Sequence, residues 1–179
     1  MIDRIIDTSV LSPFARARKL DVLERLTAGS RRLITRSVQN EIDNGAKNYP
    51  ELKGVRPLVW LELVRVDSLP ELTALAMYTR LLVDDEFRNV GESSVLAYAE
   101  VHRSVALMDD AVAVQVGRQR DVKVQRTLSL IACSIRSGLL REDEAVALVS
   151  DLITAGARYP QNIVEEFSNW RRWLPESEK

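Results

Sequence analysis

Cysteine and histidine, the side chains behind much enzymatic chemistry, are almost missing from this sequence. Its 179 residues contain one cysteine, Cys133, and one histidine, His102. A lone cysteine excludes an intrachain disulfide and any zinc site built on several thiolates. A lone histidine excludes His-rich metal centres and obliges any Ser-His-Asp triad to use His102. Charge of one sign is lacking too: 25 Lys and Arg stand against 26 Asp and Glu, so no global basic field holds nucleic acid indiscriminately. The apolar run "LTALAMYTRLLV" is broken by Arg80 and is too short to span a bilayer. Asp3, Arg4 and Asp7 interrupt the first seven residues where a secretory leader would be continuously apolar, so a cytoplasmic protein is expected. Chemistry is left to carboxylates, hydroxyls, Lys and Arg.

What the sequence does have is alternation. With 46% hydrophobic residues it can fill one core, and a single compact domain is expected. Short apolar runs at Arg4 to Ile6, Arg32 to Ile34, Leu61 to Val66, Ser104 to Met108 and Val122 to Gln125 read as strands. Between them, Val10 to Leu26, Arg36 to Ala46, Leu69 to Val83, Glu92 to His102 and Ala111 to Arg118 carry helical periodicity. The pattern predicts an α/β fold on a parallel sheet over 1–126. From 127 to 179 the strand signals stop, and helices are predicted over Thr127 to Ile135, Glu142 to Ala155 and Pro160 to Trp173, forming an extension packed on the core. Asn48 to Pro57 and Asp84 to Gly91 read as loops.

Four stretches put acids where packing alone does not ask for them. In "IIDTSV", Asp7 follows a buried-type pair at the end of a strand, where open α/β sheets bind ligands; the structural alternative is a helix N-cap. In "ITRSVQNEI", Glu41 borders the apolar stripe of Val38 and Ile42. In "GESSVLAYAE", Glu92 precedes Val95 and Leu96 on one helical face, whereas Glu100 lies one step round. In "SVALMDDAVAV", a strand delivers Asp109 and Asp110 to a helix start; one caps it, and the other has no evident structural task. Gathered in one pocket, unit charges 4 Å apart would repel by about 4 kcal/mol at an effective dielectric of 20. Such a cluster needs a cation or raised pKa values, and a hard oxygen donor set points to Mg²⁺ or Mn²⁺ and to phosphodiester hydrolysis.

In order, spacing and context, "IIDTSVL", "ITRSVQNEI", "GESSVLAYA" and "VALMDDAVA" resemble the PIN-domain nucleases over roughly Ile2 to Gln125. The tail, "TLSLIACSIRSGLLREDEAVALVSDLITAGARYPQNIVEEF", resembles the helical extension of a subgroup near the VapC-like toxins. The resemblance implies a three-layer α/β/α sandwich whose carboxylate pocket binds Mg²⁺ or Mn²⁺ and cleaves RNA, usually single-stranded. It also implies a small antitoxin protein and a homodimer as partners. By position, Asp7 corresponds to the first-strand metal ligand, with Thr8 or Ser9 as a nearby hydroxyl; Glu41 to the acid of the second helix; and Glu92 to a third acid that is Asp in many members. Asp110, with Asp109 as the alternative, corresponds to the fourth. Many members carry Thr-x-Asp with a Phe after it; here Leu107 or Met108 stands near the Thr position and no Phe follows. These departures motivate a second expectation, a PIN-like scaffold that binds RNA or a protein and cleaves poorly. A third, a phosphoacceptor domain using a strand-end Asp, lacks a switch Lys at a later strand end.

Basic clusters at Arg16, Arg18 and Lys19, at Arg31, Arg32 and Arg36, and at Arg118, Arg120, Lys123 and Arg126 are candidate phosphate contacts or solvated faces. Among them Arg16, Arg18, Lys19 and Arg36 are the expected nucleic-acid contacts, while Arg118 and Arg120 are expected to lie away from the pocket. "WRRW" has a base-stacking composition, but Ile163, Phe167 and Trp170 at i, i+4, i+7 favour a docked helix. His102 reads as a surface or capping residue and Cys133 as a small buried one.

Overall fold

The computed structural model describes residues 2–56, 58–82, 89–159 and 163–175. Five parallel strands form the central sheet: β1 (Ile2–Ile6), β2 (Ser30–Thr35), β3 (Leu61–Val64), β4 (Val105–Leu107) and β5 (Val124–Gln125), in the order β3-β2-β1-β4-β5. All five coincide with the strand-like runs of the sequence. In register, Ile5 of β1 faces Leu33 on one side and Ala106 on the other, and all three are fully buried. Strands buried on both faces are continuous in apolar residues rather than alternating, as Ile5-Ile6 and Leu33-Ile34 are.

The helices are α1 (Thr8–Arg16), α2 (Leu20–Leu26), α3 (Arg36–Gly45), α4 (Leu69–Leu82), α5 (Val90–His102), α6 (Ala111–Gln119), α7 (Thr127–Arg136), α8 (Glu142–Thr154) and the short α9 (Ile163–Glu166). α5 lies across β1, β2 and β4, and α4 and α6 pack against it. The extension packs on the first helices, α8 on α1 and α7 on α2, with Lys19 paired to Asp151 at 3.1 Å. The result is an α/β/α sandwich. Among the described residues no helix is long and apolar enough to cross a membrane.

Topology singles out one place on the sheet. The chain runs β1, β2, β3 to one side, then returns to place β4 and β5 on the other side of β1. Connections therefore leave the C-terminal ends of β1 and β4 in opposite directions, opening the crevice in which such sheets bind ligands.

Three expectations are corrected. The predicted helix Val10 to Leu26 is two helices, because Arg18 adopts a left-handed conformation with φ 56°. Turning there buries both Phe14 and Leu23 completely, which a continuous helix would not align. The expected loop after α3 contains a 3₁₀ turn, Pro50–Val55, that buries Leu52 and Val55; Pro57 lies outside the described residues. The predicted terminal helix is interrupted: α9 gives way to a 3₁₀ segment, Phe167–Trp173, with Asn169 outside helical geometry. Ile163, Phe167 and Trp170 still bury together, and Trp170 Nε1 donates to Glu142 Oε1 at 2.8 Å, so the ring is core rather than a stacking platform. Pro160, the predicted start of that helix, and most of the loop after α4 also lie outside the described residues.

Candidate active site

Asp7 stands at the crevice. Its backbone N–H donates to the Leu107 carbonyl at 3.0 Å, extending the β1–β4 pairing by one residue, and the chain then turns into α1. Oδ2 caps that helix, accepting from the Ser9 N–H at 2.8 Å and from Ser9 Oγ at 2.5 Å. Ser9 Oγ in turn accepts from the Asp109 N–H at 3.0 Å, tying the ends of β1 and β4 together. Oδ1 is different: it is buried and has no hydrogen-bond partner among the described residues. Burial is the main cause that raises the Asp7 carboxyl to about 6, opposed by the bonds from Ser9 and reinforced by the charge of Glu41.

Glu41 reaches the same place from α3. Thr35 starts that helix by accepting from the Val38 N–H at 3.2 Å, and its hydroxyl meets Ser94 Oγ at 2.7 Å, locking α3 to α5. One turn further on, Glu41 Oε2 accepts from Thr8 Oγ1 at 2.5 Å and Oε1 from the Gly91 N–H at 2.8 Å. The carboxylate thus bridges the N-termini of α1 and α5, a placement both helix dipoles favour. A side chain at position 91 would overlap it, since a Cβ built there collides with the carboxylate atoms. Glycine is needed at 91 for space, not for backbone conformation.

Glu92, the third residue of α5, is raised to about 8, first by burial and next by the charge of Asp7, with Glu41 and Asp110 adding to it. Asp7, Glu41, Glu92 and Asp110 therefore share one electrostatic neighbourhood. Among the described residues, however, no three acids stand in an arrangement that holds an ion as they are. Glu41 spends both oxygens on local donors, and Asp110 spends Oδ1 on the Ala113 N–H at 2.8 Å to cap α6.

The expectation that one of the Asp109-Asp110 pair would lack a structural task is overturned. Asp109 Oδ1 accepts from the Thr127 N–H at 2.9 Å and lies 4.0 Å from Arg126 Nε, so its side chain, 10% exposed, is committed to the start of α7. Burial pushes its carboxyl up, and Tyr159 approaches it from the segment after α8. Thr127 and Tyr159 belong to the extension, which the sequence pattern did not tie to the acids.

The four arginines and lysines carried forward as nucleic-acid contacts do not sit together. Arg16 stacks over Tyr49 at 3.9 Å and Lys19 pairs with Asp151, both a helix length from Thr8; Arg18 occupies the turn between α1 and α2. Arg36, exposed at the first position of α3, is the one at the strand ends that carry the acids. Elsewhere, Arg31 pairs with Asp3 and Glu62, and Arg120 with Glu100. His102 Nε2 meets Glu71 Oε1 at 2.7 Å and stacks on Tyr98, away from the acids. Cys133 is half-buried near Arg4 rather than a fully enclosed residue.

The oxygen-only donor set and the unpartnered, buried Asp7 Oδ1 fit a hard divalent cation; an unsatisfied buried acceptor otherwise costs about 1–3 kcal/mol. A family model described as a PIN domain matches residues 3–170. No curated protein and no solved structure matches the chain.

Proposed function

Because the chain belongs to the PIN-domain family, whose members are generally nucleases, we propose that it is a metal-dependent endoribonuclease that hydrolyses phosphodiester bonds of single-stranded RNA, the toxin of a toxin–antitoxin pair. The observation that carries this reading is Asp7 Oδ1, buried in the neighbourhood of three other acids with no hydrogen-bond partner among the described residues. Asp7, Glu41, Glu92 and Asp110 would hold Mg²⁺ or Mn²⁺. Such an ion, when bound, lowers the pKa of water and stabilises a leaving oxygen. Around it the chain's own groups do the positioning. Ser9 fixes the Asp7 carboxylate, Thr8 and the Gly91 N–H fix Glu41, and the dipole of α6 steadies Asp110. Burial and the charges of Asp7, Glu41 and Asp110 favour the protonated form of Glu92, and a bound cation would oppose that effect.

The partners in this reading are a small antitoxin protein and a second copy of the chain, in the cytoplasm. The outer face of α4, with Leu69 and Leu72 exposed at i, i+3, supports an apolar protein contact. Asp7→Asn is the test of the activity. It should abolish Mn²⁺-dependent cleavage of single-stranded RNA with an unchanged circular-dichroism spectrum, and equal cleavage by both proteins removes Asp7 from the mechanism.

A second reading has its own observation. No three acids among the described residues stand ready around an ion, which favours a scaffold that binds RNA or a protein without efficient cleavage. RNA binding without Mn²⁺-dependent cleavage would establish it.

A further inference from the structure

We propose that a groove along α6 is the track on which the RNA strand lies as it leaves the acidic site, with Arg118 holding a backbone phosphate away from the cut and Arg126 one beside it. This rests on the nuclease reading and names how its substrate is held.

The groove, about 420 Å³, is lined by Ala111, Val114, Gln115, Arg118, Gln119 and Arg126. The first five recur at i, i+3, i+4, i+7, i+8, so one face of α6 forms its length. It begins at Ala111, the residue after Asp110, so one end meets the candidate site. Arg126 stands at that end: its Nη2 donates to the carbonyl of Asp109, the residue before Asp110, at 3.1 Å. Arg118 stands seven residues on from Ala111, two helical turns or about 10.5 Å along the axis at 1.5 Å per residue. That is roughly three nucleotides of a stacked strand at 3.4 Å each.

The lining chemistry matches a nucleic-acid strand. Its charged members are two arginines, with no acid among them. Gln115 and Gln119 are exposed and offer amide donors and acceptors, and Ala111 and Val114 give a small apolar floor for a sugar or base. Arg118 is also uncommitted: it is exposed, and among the described residues its side chain has no ion pair or hydrogen bond. Its neighbour Arg120 is held by Glu100, and Arg16 and Lys19 at the end of α1 are spent on Tyr49 and Asp151. Unlike Arg16, Arg118 lines an open groove that reaches Ala111, the residue after Asp110.

The experiment measures binding of a fluorescein-labelled single-stranded oligoribonucleotide to the full chain in EDTA, across a salt series, alongside Mn²⁺-dependent cleavage kinetics. Arg118→Ala should weaken binding about three- to tenfold and lower the slope of log K against log salt by about 0.7, one single-strand phosphate contact. Arg118→Lys should restore that slope. In cleavage, Arg118→Ala should raise KM with kcat unchanged. Arg31→Ala, at the opposite end of the sheet, is the charge-matched control and should bind as the wild type does. If Arg118→Ala and Arg118→Glu bind with wild-type affinity and slope while the wild type cleaves RNA, the groove is overturned and the nuclease reading stands. If the wild type neither binds nor cleaves RNA, both fall. If Arg118→Glu loses binding of polyglutamate but keeps that of RNA, the groove docks an acidic protein segment and the proposal is overturned.

Discussion

The two oxygens of Asp7 differ: Oδ2 caps α1, while Oδ1 is buried without a partner among the described residues. A helix cap needs one acceptor, so capping explains half of this carboxylate. Glu41 depends on a glycine in another element. Gly91→Ala should push its carboxylate off the α5 N-terminus and weaken Mn²⁺ binding about tenfold, as loss of a supporting contact to a ligand does, with α5 still folded. Calorimetry paired with circular dichroism checks it. Proton linkage gives a second outcome at this scale. Asp7 and Glu92 are raised to about 6 and about 8 from ordinary values of 3.8 and 4.5, so the native state holds protons that the unfolded chain releases. Their contribution to stability is full below pH 4 and is lost as pH rises through 6 and 8. Urea denaturation in cation-free buffer should show lower stability at pH 8 than at pH 5, and Glu92→Gln should flatten the difference. Asp7, Glu41, Glu92 and the aspartate pair all stood out in the sequence as acids bordering apolar residues. What Asp109 does could not be read there, because its partner Thr127 lies 18 residues on, in an extension with no motif of its own.

Between elements, the α4–α5 pair has a fastening of its own. Glu71 is 4% exposed and accepts from the backbone N–H groups of Asp67 and Ser68 at 3.1 and 2.8 Å, closing the N-terminus of α4, while His102 reaches it from the end of α5. Burial alone would raise this carboxyl, but the bonds from Ser68, His102 and Asp67 hold it at about 2. Glu71→Ala should therefore cost about 1 kcal/mol at neutral pH, the usual worth of a helix cap, read as a lowered Tm. The sole histidine is in this way used up in structure. At this scale the sequence was legible wherever apolar runs ended in a capping residue, as at Asp7, Thr35 and Asp110. It misled where the chain turned without glycine or proline. Arg18 takes a left-handed conformation that its side chain does not announce, and Asn169 breaks a segment whose apolar period stays intact.

At the scale of the molecule, the sheet order decides function. Strand positions were readable, but their lateral order was not, because it is set by which helices cross which face. Placing β4 beside β1 brings residues more than 80 apart, Asp7 and Glu92, and then Asp110, to one crevice. The extension does more than cover the core: its first residue, Thr127, holds the Asp109 carboxylate, and Arg126 just before it holds the Asp109 carbonyl. Nuclease activity at this crevice requires these acids to act together on a cation. Calorimetric titration of the full chain with Mn²⁺ tests this most directly: saturable binding to the wild type, lost in Asp7→Asn, is the predicted result, and equal binding by both proteins, or none by the wild type, would contradict it.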